Sequence, residues 1–213
     1  MRSLRHLALL FTAFVALGSA APALAGGGTY AFAGGTAAQQ GQVKAALNAS
    51  SFNWSLVPTQ IVIHIAPGIP SEATVGNIWL DSNLLNAGMF SWGVVQHEYA
   101  HQVDFFLLDD AKRQILNTEL GGSDWCYSVA GLLHAQYGCE RFASTLAWAY
   151  WPNAANSMRP TSAKDEGGAM GAVKFRQLMG LMIGAPTAAP PSAITAYAPK
   201  VVKPLRHPRP KKK

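Results

Sequence analysis

The spacing of apolar residues along the chain predicts one long helix, several shorter helices and two strands. Residues 90–108 form an apolar run that is long enough for a helix. The β-branched stretch 61–65 lies between Pro58 and Pro67 and predicts a strand, and residues 76–81 predict a second strand between turn signals. Weaker periodicity predicts further helices at residues 39–48, 111–120, 125–137, 139–151 and 169–183.

The two ends of the chain differ from its middle. Residues 1–25 combine a basic start, a short apolar core and an Ala-x-Ala end, which predicts a secretory signal peptide; a transmembrane anchor, the alternative, needs a longer apolar run. Residues 26–185 form the predicted domain, which begins with a loose Gly/Ala-rich stretch at 26–41. Residues 186–213 are Pro-rich and basic, and we expect them to be disordered. The expected protein is secreted or associated with the cell envelope.

The formal net charge of +6 comes from these ends. Seven Lys and Arg residues lie in the last 14 positions and two in the first five, whereas all 11 Asp and Glu residues lie between them. The domain itself is therefore mildly acidic, and specific nucleic-acid binding is not expected. The basic tail is a candidate for contact with an anionic cell wall or membrane surface.

The long predicted helix carries the sequence His97-Glu98-Tyr99-Ala100-His101. Two residues four positions apart lie on one face of a helix, so both imidazoles can bind one metal ion. Glu98 is displaced by one residue and can stand beside the ion as a general base for an activated water. Two histidines and a glutamate on a largely apolar helix are costly unless they are paired or bound to a metal. Two solvated histidines on an ordinary surface helix are the alternative.

This motif resembles that of the zincin metallopeptidases. The metzincin branch has a third histidine six residues after the second, where this chain has Leu107, and the aspartate-ligand branch needs a Gly-Thr-x-Asp segment that is absent. The gluzincin branch, with a glutamate on a later helix, remains. Residues 139–148 resemble the Glu-x-Phe-Ala run of compact, anthrax-lethal-factor-like gluzincins, which implies Glu140 as the third ligand of one zinc ion per chain. Glu119 and His134 remain alternatives.

The resemblance implies an α+β, zincin-like fold, with a small mixed or antiparallel sheet packed on the active-site helix and a minimal helical C-terminal subdomain. It implies a zinc-dependent hydrolase that cleaves peptide bonds in peptide or protein substrates, with Glu98 as the general base. In such enzymes an edge strand before the active-site helix pairs with extended substrate, which places that strand at residues 76–80. Candidate oxyanion donors are Tyr127, Tyr137 and Tyr150.

Two supporting features are also expected. Cys126 and Cys139 form an isolated pair in an exported protein, which predicts a disulfide, with two buried thiols as the alternative. Asp104, three residues after His101, either accepts a hydrogen bond from a ligand imidazole or is a solvated acid. Thermolysin-like enzymes have a histidine-orienting acid four residues after the ligand glutamate; Ser144 holds that position here, so the partner is unassigned.

Two functions without catalysis stay open. In a binding protein or inactive enzyme the zinc site is closed by a fourth protein ligand, and His134 is the candidate. In a surface-adhesion protein the working part is the basic tail.

Overall fold

The computed structural model describes residues 26–162 and 164–188. They contain a four-stranded mixed sheet and six α-helices. The class is therefore α+β. The strands are β1 (Tyr30–Gly34), β2 (Ile61–Ala66), β3 (Glu72–Thr74) and β4 (Asn77–Asp81). The helices are α1 (Ala37–Ala49), α2 (Ser82–Leu85), α3 (Met89–Leu107), α4 (Asp110–Leu120), α5 (Gly138–Tyr150) and α6 (Ala172–Ile183).

The sheet has the strand order β1-β2-β4-β3, with β1, β2 and β4 parallel and β3 antiparallel to β4. In β2 the buried residues alternate with half-buried ones, as expected when one face of a sheet covers the core. The half-buried His64 stacks on Trp79 at the other face. Strand β4 lies between β2 and β3, so the prediction that residues 76–80 form the substrate-binding edge is wrong; β3, which was not predicted, is the outer strand.

The Gly/Ala-rich segment 26–41 was predicted to be loose, and this prediction is wrong. The segment contains β1 and the start of α1. Thr36 and Gln39 form a reciprocal capping box that begins α1. Gly28 has a φ of +94°, and a Cβ there would meet the Tyr99 hydroxyl at 2.8 Å. Glycine is needed at this position because the backbone conformation is left-handed and α3 packs against it.

Helices α3 and α5 pack directly against each other in the core. The stretch of α3 from Val95 to Asp104 is buried throughout. On α5, Ala143, Ser144 and Ala147 are small and almost fully buried, which lets the two helix backbones come close. The predicted helices at 90–108 and 139–151 are thus confirmed, and their close packing positions the residues of the motif.

The predicted helix at 125–137 is wrong. This segment is irregular apart from a 3-10 turn at His134–Gln136. The Asp124 carboxylate accepts hydrogen bonds from the backbone N–H groups of Ser128 and Val129, and Tyr127 has a φ of +56°, so the chain turns where a helix would continue. Its apolar residues Val129 and Leu133 face solvent instead of a core.

The remaining helices close the fold. Asp109 caps α4 and Gly121 ends it in the left-handed conformation. Helix α6 packs on α5 through Phe175 and Met179, which are fully buried. Among the residues that the structure describes, none of the helices is long and apolar enough to cross a membrane. The predicted signal peptide and nearly all of the predicted basic tail lie outside the described residues.

Candidate metal centre

One turn of α3 and the first turn of α5 bring two imidazoles and a carboxylate together. The Nε2 atoms of His97 and His101 are 3.2 Å apart. Glu140 Oε2 lies 3.1 Å from His97 Nε2 and 3.4 Å from His101 Nε2. All three side chains are more than nine-tenths buried. The structure thus places these three predicted residues at one point.

The three donor atoms fit the face of a metal coordination tetrahedron. Ligands at about 2.0–2.1 Å from a tetrahedral zinc ion lie about 3.3–3.4 Å from one another. The three observed separations, from 3.1 to 3.4 Å, are close to that edge. Two neutral imidazole nitrogens and one carboxylate oxygen are also a donor set that zinc accepts. These residues therefore fit a zinc ion. Cys126 and Cys139 also lie near Glu140 but are joined in the predicted disulfide, which is confirmed, so they offer no thiolate.

Glu98 borders the same cleft and its carboxylate lies within 4.8 Å of the nitrogens of both motif histidines. Burial raises the pKa of Glu98 above its usual range, although the neighbouring histidines oppose this shift. A carboxylate with a raised pKa is a stronger base. The cleft has a volume of about 520 Å³ and opens to solvent beside β3.

The electrostatics of the centre are dominated by Glu140. Burial raises the pKa of Glu140, but the imidazoles of His101, His134 and His97 around its carboxylate outweigh burial, so the pKa lies far below the usual range. Burial lowers the pKa of His101, and the bond and charge of Glu140 more than reverse that shift. The carboxylate is therefore ionised, as a metal ligand must be.

His97 is oriented by a contact that the sequence left unassigned. Its Nδ1 lies 3.0 Å from the hydroxyl of Ser144, one turn after Glu140 on α5. The same hydroxyl lies 2.9 Å from Glu166 Oε2. No spacing in the sequence connects Glu166 to the motif.

His134 also belongs to the centre, but not as a buried helical residue. It lies on the 3-10 turn, and 57% of its side chain is exposed. Its Nε2 is 3.1 Å from Glu140 Oε2 and its Nδ1 is 2.7 Å from Glu166 Oε1. Hydrogen bonds to these two carboxylates raise the pKa of His134 to about 10.

Two other predicted candidates lie elsewhere. Asp104 binds the Arg113 guanidinium and the Trp125 indole at 2.8 and 3.2 Å, so it neither orients a motif imidazole by a direct hydrogen bond nor is a solvated acid. Glu119 pairs with Lys174 at the surface and does not line the cleft.

The residue after His101 connects the centre to the sheet. Gln102 is fully buried; its amide accepts from the Gly76 N–H at 2.9 Å and donates to the carbonyls of Thr74 and Asn77 at 2.9 and 3.1 Å. These bonds fix the turn between β3 and β4 on α3. The outer strand β3 thereby forms one wall of the cleft.

The three tyrosines differ in their surroundings. Tyr127 lines the cleft and donates to Glu140 Oε1 at 2.8 Å. The Tyr137 hydroxyl donates to the Val129 carbonyl, and Tyr150 is fully buried in the core. Of the three, only Tyr127 can reach a group bound in the cleft.

Comparison of the chain with models of protein families, with curated proteins and with solved structures finds no match.

Proposed function

We propose that the protein is a zinc-dependent peptidase of gluzincin type. The observation that supports this most is the triangle of His97 Nε2, His101 Nε2 and Glu140 Oε2, with sides of 3.1 to 3.4 Å, at the bottom of an open cleft. A tetrahedral ion held by three protein ligands keeps one position for water. Glu98 stands beside this site without belonging to the triangle, as a general base must.

Zinc bound there would act as a Lewis acid and lower the pKa of a bound water to about 7. Glu98 would accept the proton of the attacking water and deliver it to the leaving amine. Tyr127 is positioned to donate to the substrate oxygen, provided that it exchanges its bond to Glu140 for one to substrate.

Substrate recognition follows from β3. Its inner edge pairs with β4, while residues 71–75 line the cleft together with both motif histidines. An extended peptide added to such an outer strand gains backbone hydrogen bonds and passes the metal centre. We therefore propose an unfolded segment of a peptide or protein as the substrate.

The test is cleavage of a peptide library by the purified protein, with bound zinc counted on the same sample. We expect cleavage that a chelator abolishes and added zinc restores. Zinc-loaded protein that cleaves no peptide in the library contradicts the proposal.

A second candidate is a closed, non-catalytic zinc site with His134 as a fourth ligand. The position of His134 Nε2, 3.1 Å from Glu140 Oε2, favours it. The variant His134→Ala separates the two candidates. If three residues hold the zinc ion, the variant keeps its zinc. If His134 closes the site as a fourth ligand, the variant loses zinc affinity, or gains activity because the fourth position opens.

A further inference from the structure

A chain of two hydrogen bonds connects a motif histidine to a distant carboxylate. It runs from His97 Nδ1 to Ser144 Oγ over 3.0 Å, and from Ser144 Oγ to Glu166 Oε2 over 2.9 Å. Ser144 is 1% exposed. Water therefore does not compete at its hydroxyl, and these neighbours determine where its proton lies.

The chemistry of the three groups fixes the direction of both bonds. An ionised carboxylate only accepts hydrogen bonds, and a hydroxyl has one proton to donate. The Ser144 proton therefore goes to Glu166, since the other neighbour, the Met158 thioether at 3.5 Å, is a weak acceptor. The Ser144 oxygen can then only accept from His97, which requires a proton on Nδ1. In a neutral imidazole with its proton on Nδ1, Nε2 on the metal side of the ring keeps its lone pair.

Glu166 is held in place by its own backbone and neighbours. Its carbonyl accepts from the Thr145 hydroxyl at 3.0 Å, on the same helix as Ser144. Just before it, the Asp165 carboxylate binds the backbone N–H and hydroxyl of both Thr161 and Ser162, which closes the loop. A Cβ at Gly167 would collide with the Met158 carbonyl, so this loop packs against the segment that carries Met158 only with glycine there.

We propose that Glu166 is a positioning residue that, through Ser144, keeps the proton of His97 on Nδ1 and so presents Nε2 to a metal ion. Its other oxygen, Oε1, accepts from His134 Nδ1 at 2.7 Å, and one carboxylate thereby orients two imidazoles of the cleft. The proposal rests on the proposed function for the role of the metal, but not for the position of the proton.

The first measurement is a ¹H–¹⁵N correlation of the histidine rings in the metal-free protein. We expect a protected N–H at His97 Nδ1 in the wild type and its loss in Ser144→Ala, since the proton then exchanges with water. A protected proton on Nε2 alone, or an Nδ1 signal that persists in Ser144→Ala, overturns the proposal. This readout holds even if the protein binds no zinc, so it separates this proposal from the proposed function.

The second measurement is zinc affinity, by competition with a chelator. Ser144→Ala and Glu166→Gln should each weaken it about 10- to 100-fold, the usual cost of losing a ligand's orienting partner. Because the two residues act in series, the double variant should bind zinc no more weakly than the single variant that has the lower affinity. If the losses of affinity in the two single variants add up in the double variant, the proposal is overturned. The same three variants are also measured in the His134→Ala protein. There the Glu166 carboxylate keeps its hydrogen bond to Ser144 and has lost the one to His134.

Two matched variants control for the loss of a hydroxyl and of a charge. Ser91→Ala removes a fully buried hydroxyl from α3 that bonds the Gly88 carbonyl, and Glu119→Gln neutralises a surface acid. Both should keep wild-type zinc affinity and the Nδ1 signal. A thermal melt of each metal-free variant confirms that it folds. If Ser144→Ala weakens zinc binding no more than Ser91→Ala does, that result counts against the proposal.

Discussion

The helical pair α3 and α5 and the segment 121–137 line the same cleft, but they are held in different ways. The helical pair presents His97, His101 and Glu140 from regular backbone, with each of these side chains buried. The segment presents Tyr127 and His134 from irregular backbone, and both side chains are more than half exposed. The disulfide and the turn at Asp124 are two of the contacts that hold this segment in place.

Under the proposed function, this difference gives the two regions different roles. A metal site needs donor atoms fixed within tenths of an ångström, which two packed helices provide. Groups that meet a substrate must move to let it enter and leave, and exposed irregular segments provide that freedom. We therefore expect changes in the helical pair to affect the metal and the chemistry, and changes in the segment to affect stability and substrate handling.

The largest expected effect is on the helical pair. Glu98→Gln keeps the shape of the side chain but removes the proposed general base, so the proposed peptidase activity should fall by about 10²- to 10⁴-fold while zinc content stays unchanged. Turnover and zinc per chain are measured on the same sample. A variant that cleaves at the wild-type rate means that Glu98 is not the base.

The next effect is on the segment. Replacing Cys126 and Cys139 by serine opens a closed loop of sequence separation 13, which should lower the free energy of unfolding by about 3 kcal/mol on the chain-entropy model. Denaturant unfolding measures this. Zinc content at saturating zinc should stay at one per chain, because Glu140 is held by α5. Loss of zinc would show that the two regions form one unit.

A smaller effect concerns the contact between α3 and the sheet. Gln102→Leu leaves the β3–β4 turn without three hydrogen bonds and should destabilise the fold by about 1–3 kcal/mol. Since β3 is the proposed peptide edge, KM should rise more than kcat falls. Gln96→Leu is the matched control, a buried glutamine of α3 whose amide bonds the Ala46 carbonyl away from the cleft. An equal change of KM in both variants contradicts the role of β3.

The smallest effect concerns the loop that carries Glu166. Hydrogen bonds from Thr161 and Ser162 lower the pKa of Asp165. A carboxyl group with a lowered pKa in the folded state stabilises the fold above its unfolded pKa of about 4, and this contribution is lost as the pH falls. Below pH 4 the melting temperature of the metal-free wild type should therefore drop more steeply than that of Asp165→Asn. Parallel curves would exclude this contribution.

Helices α3 and α5 were predicted well from the sequence because the patterns that indicate them lie within each helix. The spacing of His97 and His101 is a property of one helix, and the apolar run around them predicts burial. The α+β class, most helices and the disulfide were also predicted correctly. The proximity of Glu140 to the motif was expected from resemblance, and no periodicity supplied it.

The features that were not predicted from the sequence depend on tertiary contacts, which no local pattern encodes. The apolar periodicity around Val129 and Leu133 predicted a helix, but the Asp124 turn and the disulfide override it. Glu166 reaches Ser144 across 22 positions of the chain, and the Thr and Ser shortly before Asp165 indicate a turn but not this contact. The outer strand β3 is only three residues long, too short for an alternating pattern to be recognised.

The central claim is that His97, His101 and Glu140 hold one zinc ion. Zinc per chain, by elemental mass spectrometry, tests it most directly on the wild type, Glu140→Ala and the control Glu119→Ala. We predict one zinc in the wild type and in Glu119→Ala, and a large loss in Glu140→Ala. A wild type that binds no zinc when zinc is offered, or a Glu140→Ala variant that keeps it with full affinity, would contradict the claim.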